Sequence, residues 1–336
     1  MNFTELHGPW CLFREQYPWR QLLGATTTHA LALQTLVINA ATAPFTFALN
    51  ILVIVSLVKF RSLRGTSNLI LGAMAISDAV SGLITQPLYV AQESLFLQGK
   101  EPPCELEDAS MLIGRTNSMV SIMILAILNV ERYISLKYTL RHLVIVTSRR
   151  LTVVIAAACL LPILLNIAGS IDTLSPYNLY LVMIVVALSV LTSVYCSFKI
   201  MQISRRHQRQ IAADHITTGL PRNRLKFSSV RALFIIVTTL RLFTYGLIFV
   251  SNIFKEKLMV FGPIALNIAL LVSVVNPIVY CARIKSFKKA FKKILGFSKV
   301  KISGTLTQCQ TRSSRDCVKN CVRRNQVPGV VRDFCG

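Results

Sequence analysis

The sequence predicts an all-α membrane protein, a bundle of seven transmembrane helices followed by a short amphipathic helix. The first observation is composition: 53% of the 336 residues are hydrophobic and only 15% are charged, which is typical of polytopic membrane proteins. The second is that seven apolar segments are long enough to cross about 30 Å of hydrocarbon. The third is that a basic amphipathic segment follows the last of them.

These segments, called helices one to seven in chain order, define the domain organisation. They lie near residues 32–59, 67–92, 109–136, 151–170, 177–203, 227–251 and 258–282. Residues 1–31 precede the bundle, which spans 32–282, and a surface helix occupies 283–296. The remaining residues, 297–336, are polar and basic without apolar periodicity, so we expect a disordered tail.

The distribution of basic residues predicts the orientation. About three quarters of the 37 lysine and arginine residues lie in three loops and the tail that share one side of the membrane, and basic loops stay in the cytoplasm. The N-terminus is therefore extracellular, where the sequon at Asn2 can be glycosylated. No cleavable leader pattern precedes helix one, so we expect it to serve as a signal anchor. The same distribution argues against nucleic-acid binding, because the charge faces a membrane.

Polar residues inside the predicted helices mark a candidate site. Asp78 lies in the middle of helix two, where a carboxylate is costly without water, partners or a proton. If the helices converge, it gains oxygen and amide partners and room for water or a small cation. The other members are Asn50, Asn117, Ser121, Ser273 and Asn276. The alternative is a hydrated cluster that only holds the helices together.

Two short motifs lie at the predicted cytoplasmic edge. Helix three ends with Glu131-Arg132-Tyr133, where the arginine can pair with its neighbour in one state and turn elsewhere in another. It can also be a simple interfacial anchor. Helix seven contains Asn276-Pro277-Ile278-Val279-Tyr280, whose proline removes a backbone hydrogen bond and bends the helix.

The surface helix is amphipathic. Its lysines occupy one face, and the other carries Phe287, Phe291, Ile294 and Leu295. This pattern predicts a helix that lies on an anionic lipid membrane.

Together these motifs resemble the rhodopsin-like (class A) G-protein-coupled receptors over residues 30–296. The order of the motifs and the interval between Asn50 and Asp78 match that family. The resemblance implies a plasma-membrane receptor that binds an extracellular ligand and activates a heterotrimeric G protein. Arg132 would engage the G protein, and Asn276, Pro277 and Tyr280 would rearrange with Tyr195 as a hydrogen-bonding partner.

The resemblance also implies a sodium pocket and a ligand pocket. Asp78, Asn117, Ser121 and Ser273 would hold Na⁺, and no other cofactor is expected. Gly114 stands at the family's amine-binding aspartate position and Leu270 at its retinal lysine, which argues against an amine ligand and against light sensing. Arg115 and Arg241 could meet an anionic head group, or the first could snorkel and the second pair internally.

The chain departs from the family in several places. Cys104 lies about one turn further out than the usual helix-three cysteine, and the second extracellular loop has no cysteine, so a Cys11–Cys104 disulfide is plausible. Helix six lacks the family's tryptophan, proline and acidic lock residue, from which we expect raised basal activity. In its short second extracellular loop and its missing helix-five proline, the chain resembles the branch that contains the melanocortin, cannabinoid and lysophospholipid receptors.

Other function classes follow from what the chain contains or lacks. A receptor-fold protein that does not couple, acting as a decoy or partner subunit, remains open because several switch residues are missing. A small-solute transporter is disfavoured since no paired broken helices are found. No enzyme motif is present, and the tail cysteines do not have zinc spacing. Those near enough to the membrane for palmitoylation are Cys309, Cys317 and Cys321.

Overall fold

The structure, a computed structural model, consists of helices joined by short connections. It describes residues 24–63, 65–139, 141–169, 175–218, 243–244, 246–247, 260–283 and 285–296. Six helices among these residues are long and apolar enough to cross a membrane. They are Ala25–Lys59, Thr66–Leu97, Cys104–Lys137, Ser148–Gly169, Tyr180–Arg206 and Phe261–Val279. They correspond to predicted helices one to five and seven; most of predicted helix six lies outside the described residues.

Local sequence explains where several helices begin and end. Helix three, Cys104–Lys137, starts directly after Pro102-Pro103 and carries Glu105 and Glu107 in its first turn, where acidic residues favour a helix N-terminus. Helix five, Ser175–Thr218, continues well past the predicted limit near residue 203. Hydrophobicity alone predicts that limit. The helix continues because the polar residues that follow contain no glycine or proline before residue 219.

The helices bury polar side chains against one another and turn apolar ones outward. Six of the ten buried residues of helix one, Ala25–Lys59, are threonine, asparagine or serine. Large apolar side chains on the outside include Val58 at 65% exposure and Leu191 at 64%. This distribution is expected for helices surrounded by the hydrocarbon of a membrane, because polar groups there find hydrogen-bond partners only within the protein.

An apolar cluster fills the predicted cytoplasmic half of the bundle. Its fully buried members include Val53 on helix one, Ile70 on helix two and Ile124 on helix three. Phe287 and Phe291 of the surface helix, Lys285–Ile294, belong to the same cluster. The sequence placed these two phenylalanines at the lipid, but they pack against the protein, and the surface helix exposes Lys288, Lys289, Lys292 and Lys293.

Helix two is interrupted by a π-helical turn. Its α-helical part Thr66–Val80 passes through the turn Ser81–Thr85 and continues as Gln86–Leu97. Gly82 lies within this turn against the backbone of helix one, where an added Cβ would stand 2.5 Å from Phe47 N and 2.9 Å from Ala43 O. A π-turn shifts the side chains that follow it, so this segment sets which faces of helix two meet helices one and three.

Candidate functional site

Asp78 joins helices two and seven. Its carboxylate is fully buried and accepts hydrogen bonds from Ser273 Oγ at 2.7 Å and from Asn276 Nδ2 at 2.5 Å. Asn50 on helix one donates to the backbone carbonyl of Ser273 at 3.1 Å and to Thr46 O at 2.8 Å. Helices two and seven therefore meet at the carboxylate, and helix one joins them through the backbone of Ser273. The structure thus brings together Asn50, Asp78, Ser273 and Asn276.

A second polar cluster joins helices two and three beside the first. Ser77 Oγ lies 2.9 Å from Asn117 Oδ1 and 2.9 Å from Ser121 Oγ. Asn117 Nδ2 donates to Ser81 Oγ at 2.5 Å. The hydrogen bonds of Asn117 and Ser121 thus go to the two serines, so the single ring predicted around Asp78 is divided into two clusters. Adjacent residues on a helix point to different sides, which directs Ser77 to helix three and Asp78 to helix seven.

The sequence reasoning missed Ser77 and Ser81. Their spacing of one helical turn, beside an intramembrane acid, was the available signal. A small polar residue on helix two, at the same depth as Asn117 and Ser121 on helix three, is a candidate hydrogen-bond partner for them.

Glu131 is the centre of a cluster at the end of helix three. The side chain is 2% exposed, and its Oε1 accepts a hydrogen bond from Ser67 Oγ at 2.6 Å. His142 Nε2 lies 3.1 Å from the same oxygen, and Arg132 Nε lies 3.5 Å from Oε2. The carboxylate therefore holds helix two, the arginine and the loop after helix three together.

The loop that supplies His142 is itself anchored. His142–Ile145 forms one helical turn, and Arg150 Nη1 from helix four donates to Ile145 O at 3.2 Å. Ser67 and His142 were not predicted, because nothing in the local sequence marks a loop histidine as the partner of a buried acid.

Tyr133 and Tyr195 form an aromatic contact between helices three and five. Their rings meet edge to face with centroids 6.3 Å apart. Lys137 Nζ stands 5.4 Å from the Tyr133 centroid and Lys199 Nζ 5.7 Å from the Tyr195 centroid. Each pair has the geometry of a cation–π contact. The expected bond between Tyr195 and the helix-seven motif stays a prediction, since the side chain of Tyr280 lies outside the described residues.

The predicted extracellular half of the bundle contains hydrogen-bonded amides that the sequence did not predict. Asn39 on helix one donates to Asn267 Oδ1 on helix seven at 2.9 Å, and Asn267 donates back to Thr35 Oγ1 at 2.9 Å. Gln86 on helix two donates to Thr42 Oγ1 at 2.8 Å. These bonds hold helices one, two and seven together above the Asp78 cluster.

The predicted ligand-pocket position at Gly114 is occupied by a neighbour. Tyr89 on helix two is 5% exposed, and its hydroxyl lies too close to Gly114 to leave room for a Cβ there. One turn away, Ser110 donates to Gln92 Oε1 at 2.6 Å. The upper parts of helices two and three are therefore packed together at this position. Leu270 is buried, Arg115 is partly buried, and Arg241 lies outside the described residues.

Residues 49–173 match the family model of the 7 transmembrane receptor (rhodopsin family). This match supports a class A receptor. The matched residues include Asn50, Asp78 and the Glu131-Arg132-Tyr133 motif, and they end after helix four. The helical fold agrees with the seven-helix bundle of that family, so the fold prediction is confirmed and the chain is a multi-pass membrane protein.

The remaining predicted sites are tested only in part. Cys104 is disulfide-bonded, and its pairing with Cys11 stays a prediction because Cys11 lies outside the described residues. The glycosylation site at Asn2 lies outside them as well. The same is true of the predicted palmitoylation sites Cys309, Cys317 and Cys321.

Gly114→Ala should destabilise the protein by about 1–2 kcal/mol, because the new methyl group displaces the Tyr89 ring from a packed position. In a Tyr89→Phe background the cost should be smaller, since the hydroxyl makes the closest approach. Thermal unfolding of the four proteins in detergent measures both costs. Equal costs in the two backgrounds would contradict the contact between Tyr89 and Gly114.

Proposed function

We propose that this chain is a G-protein-coupled receptor of the plasma membrane that binds an extracellular ligand and activates a heterotrimeric G protein. The observation that carries the proposal is the position of Arg132, within ion-pair distance of the buried Glu131 and inside the segment that matches the receptor family. An arginine held in this way can be released when the helices rearrange, so its availability can report the state of the bundle.

The hydrogen bonds around Asp78 supply a route from the bundle interior to helix seven. Ser273 and Asn276 both bond to the carboxylate, and Asn50 bonds to the backbone beside them. A ligand that shifts helix seven must exchange these bonds. Pro277, which follows Asn276 within the same helix, would pass that shift to the cytoplasmic end.

Na⁺ is the cofactor that the family implies, and the residues fit it in chemistry. Carboxylate, hydroxyl and amide oxygens are ligands that small hard cations prefer. Asp78 and Ser273 would hold the ion, and Asn117 and Ser121 would join only by exchanging their bonds to Ser77. A bound cation would favour the state in which the carboxylate is surrounded by oxygen.

Several finer assignments belong to the same proposal. The N-terminus is extracellular and the tail cytoplasmic, in line with the charge distribution. The chain belongs to the melanocortin, cannabinoid and lysophospholipid branch, its ligand is unidentified, and basal activity is raised because helix six offers no acid to Arg132.

Arg132→Ala should abolish basal G-protein activation, because it removes the side chain proposed to engage the G protein. The measurement is G-protein dissociation in cells across a panel of Gα subunits at matched surface expression. Arg149→Ala is the control, since it removes an exposed arginine at the start of helix four. Signal that is lost in the first variant and kept in the second supports coupling. Equal signals from wild type and Arg132→Ala would favour the receptor-fold protein that does not couple.

A further inference from the structure

Asn129 on helix three is a buried amide whose hydrogen-bonding groups are unused. Its exposure is 0%, and neither Oδ1 nor Nδ2 has a hydrogen-bond partner in the described structure. Buried amides are normally bonded, and one that is not raises the free energy of the state that contains it. The proposed function does not use this residue.

The position of Asn129 relative to Arg132 suggests what the amide is for. The two residues are three positions apart on one helix, so their side chains share a face. Long side chains on a helix point back toward its N-terminus and cover the preceding turn. The guanidinium of Arg132 therefore reaches the turn that contains Asn129 once it leaves Glu131. Arg132 Nε also has no hydrogen-bond partner in the described residues, because its 3.5 Å approach to Glu131 Oε2 lacks hydrogen-bond geometry.

We propose that Asn129 is a positioning residue that accepts the Arg132 guanidinium after it leaves Glu131. This inference rests on the proposed function only for the role of Arg132 in coupling. Oδ1 of Asn129 accepts one of the five N–H groups of the arginine, and a charged donor makes such a bond strong. The arginine thus has two buried oxygen partners, a carboxylate in the described state and an amide in the released state. Because Asn129 offers this second partner, it lowers the free-energy cost of moving Arg132 away from Glu131.

Thermal unfolding of the full chain in detergent tests the proposal without ligand or G protein. Asn129→Leu replaces an unbonded amide by an apolar side chain of similar size, so the wild-type Tm should rise by about 2 °C or more. Glu131→Gln removes the charge that holds Arg132 and leaves the arginine to Asn129. In that background Asn129→Leu should lower Tm. A reversal of sign between the two backgrounds is the expected result.

Asn166→Leu is the matched control for this cycle. Asn166 is also a buried amide whose Oδ1 has no hydrogen-bond partner in the described structure, but its Nδ2 donates to Pro162 O at 2.8 Å. Its replacement should lower Tm by a similar amount in both backgrounds. If Glu131→Gln does not fold, the Tm of Asn129→Leu in the wild-type background and the signalling readout below decide the proposal. A Tm that falls in the wild-type background, or an equal shift in both, would overturn the proposal, because Asn129 would then have a constant structural partner.

A signalling readout separates positioning from a purely structural role. Asn129→Leu should reduce basal G-protein dissociation several-fold at matched surface expression while its Tm rises. Unchanged signal together with a raised Tm would also overturn the proposal. If wild type signals no more than Arg132→Ala, the proposed function fails, and the thermal cycle decides the inference by itself.

Discussion

Gly82→Ala should destabilise the folded chain by about 1–3 kcal/mol, because the added methyl group meets backbone rather than a movable side chain. The new Cβ would stand 2.5 Å from Phe47 N, 2.9 Å from Ala43 O and 3.0 Å from Thr46 Cβ. Relief requires helices one and two to separate, which weakens contacts along their length. The measurement is thermal unfolding in detergent, where each kcal/mol corresponds to roughly 2–4 °C in Tm, together with surface expression in cells.

Gly72→Ala is the control, since it makes the same chemical change in the same helix. Its Cβ would meet only Leu57 Cδ1 at 3.1 Å, the end of a flexible side chain. Alanine is favoured over glycine within a helix by about 0.5–1 kcal/mol, so this variant should be neutral or more stable. Equal losses of Tm in the two variants would contradict the close approach of the helices at Gly82.

The sequence predicted the fold because the physical signal for spanning helices is strong and local. A run of apolar residues has few alternatives to a membrane helix. Intramembrane polar residues carry a second local signal, which is why Asn50, Asp78, Ser273 and Asn276 were predicted to meet and do so in the structure.

What the sequence did not predict depends on how helices are rotated and shifted against one another. Ser77 faces helix three only because of the rotation of helix two, and that rotation decides that Asn117 bonds to Ser77. His142 reaches Glu131 through a loop whose path no periodic pattern specifies. Phe287 lies on the apolar face that hydrophobicity predicts, but hydrophobicity does not distinguish burial against lipid from burial against protein.

Asp78→Ala should destabilise the protein by about 1–3 kcal/mol for each donor left without an acceptor, because Ser273 and Asn276 both donate hydrogen bonds to the carboxylate. Asp78→Asn should destabilise the protein less than Asp78→Ala does. Its amide oxygen can still accept from Asn276, and its amide N–H can donate to the oxygen of Ser273, which accepts as well as donates. Thermal unfolding that ranks wild type above Asp78→Asn and Asp78→Asn above Asp78→Ala would match this geometry. The reverse order of the two variants would contradict it.

The same pair of variants tests whether the carboxylate binds sodium. Na⁺ at ten times its Kd would stabilise the wild-type receptor by about 1.4 kcal/mol relative to choline at equal ionic strength. Asp78→Asn retains two neutral bonding partners but loses the charge, so the sodium-dependent rise in Tm should disappear while most of the stability remains. A sodium effect that survives in Asp78→Asn would place the cation elsewhere. Loss of the effect in Asn117→Ala, with Asp78 intact, would show that the Ser77 cluster opens to complete the site. Because the carboxylate already has two protein donors, we expect the protein to fold without sodium.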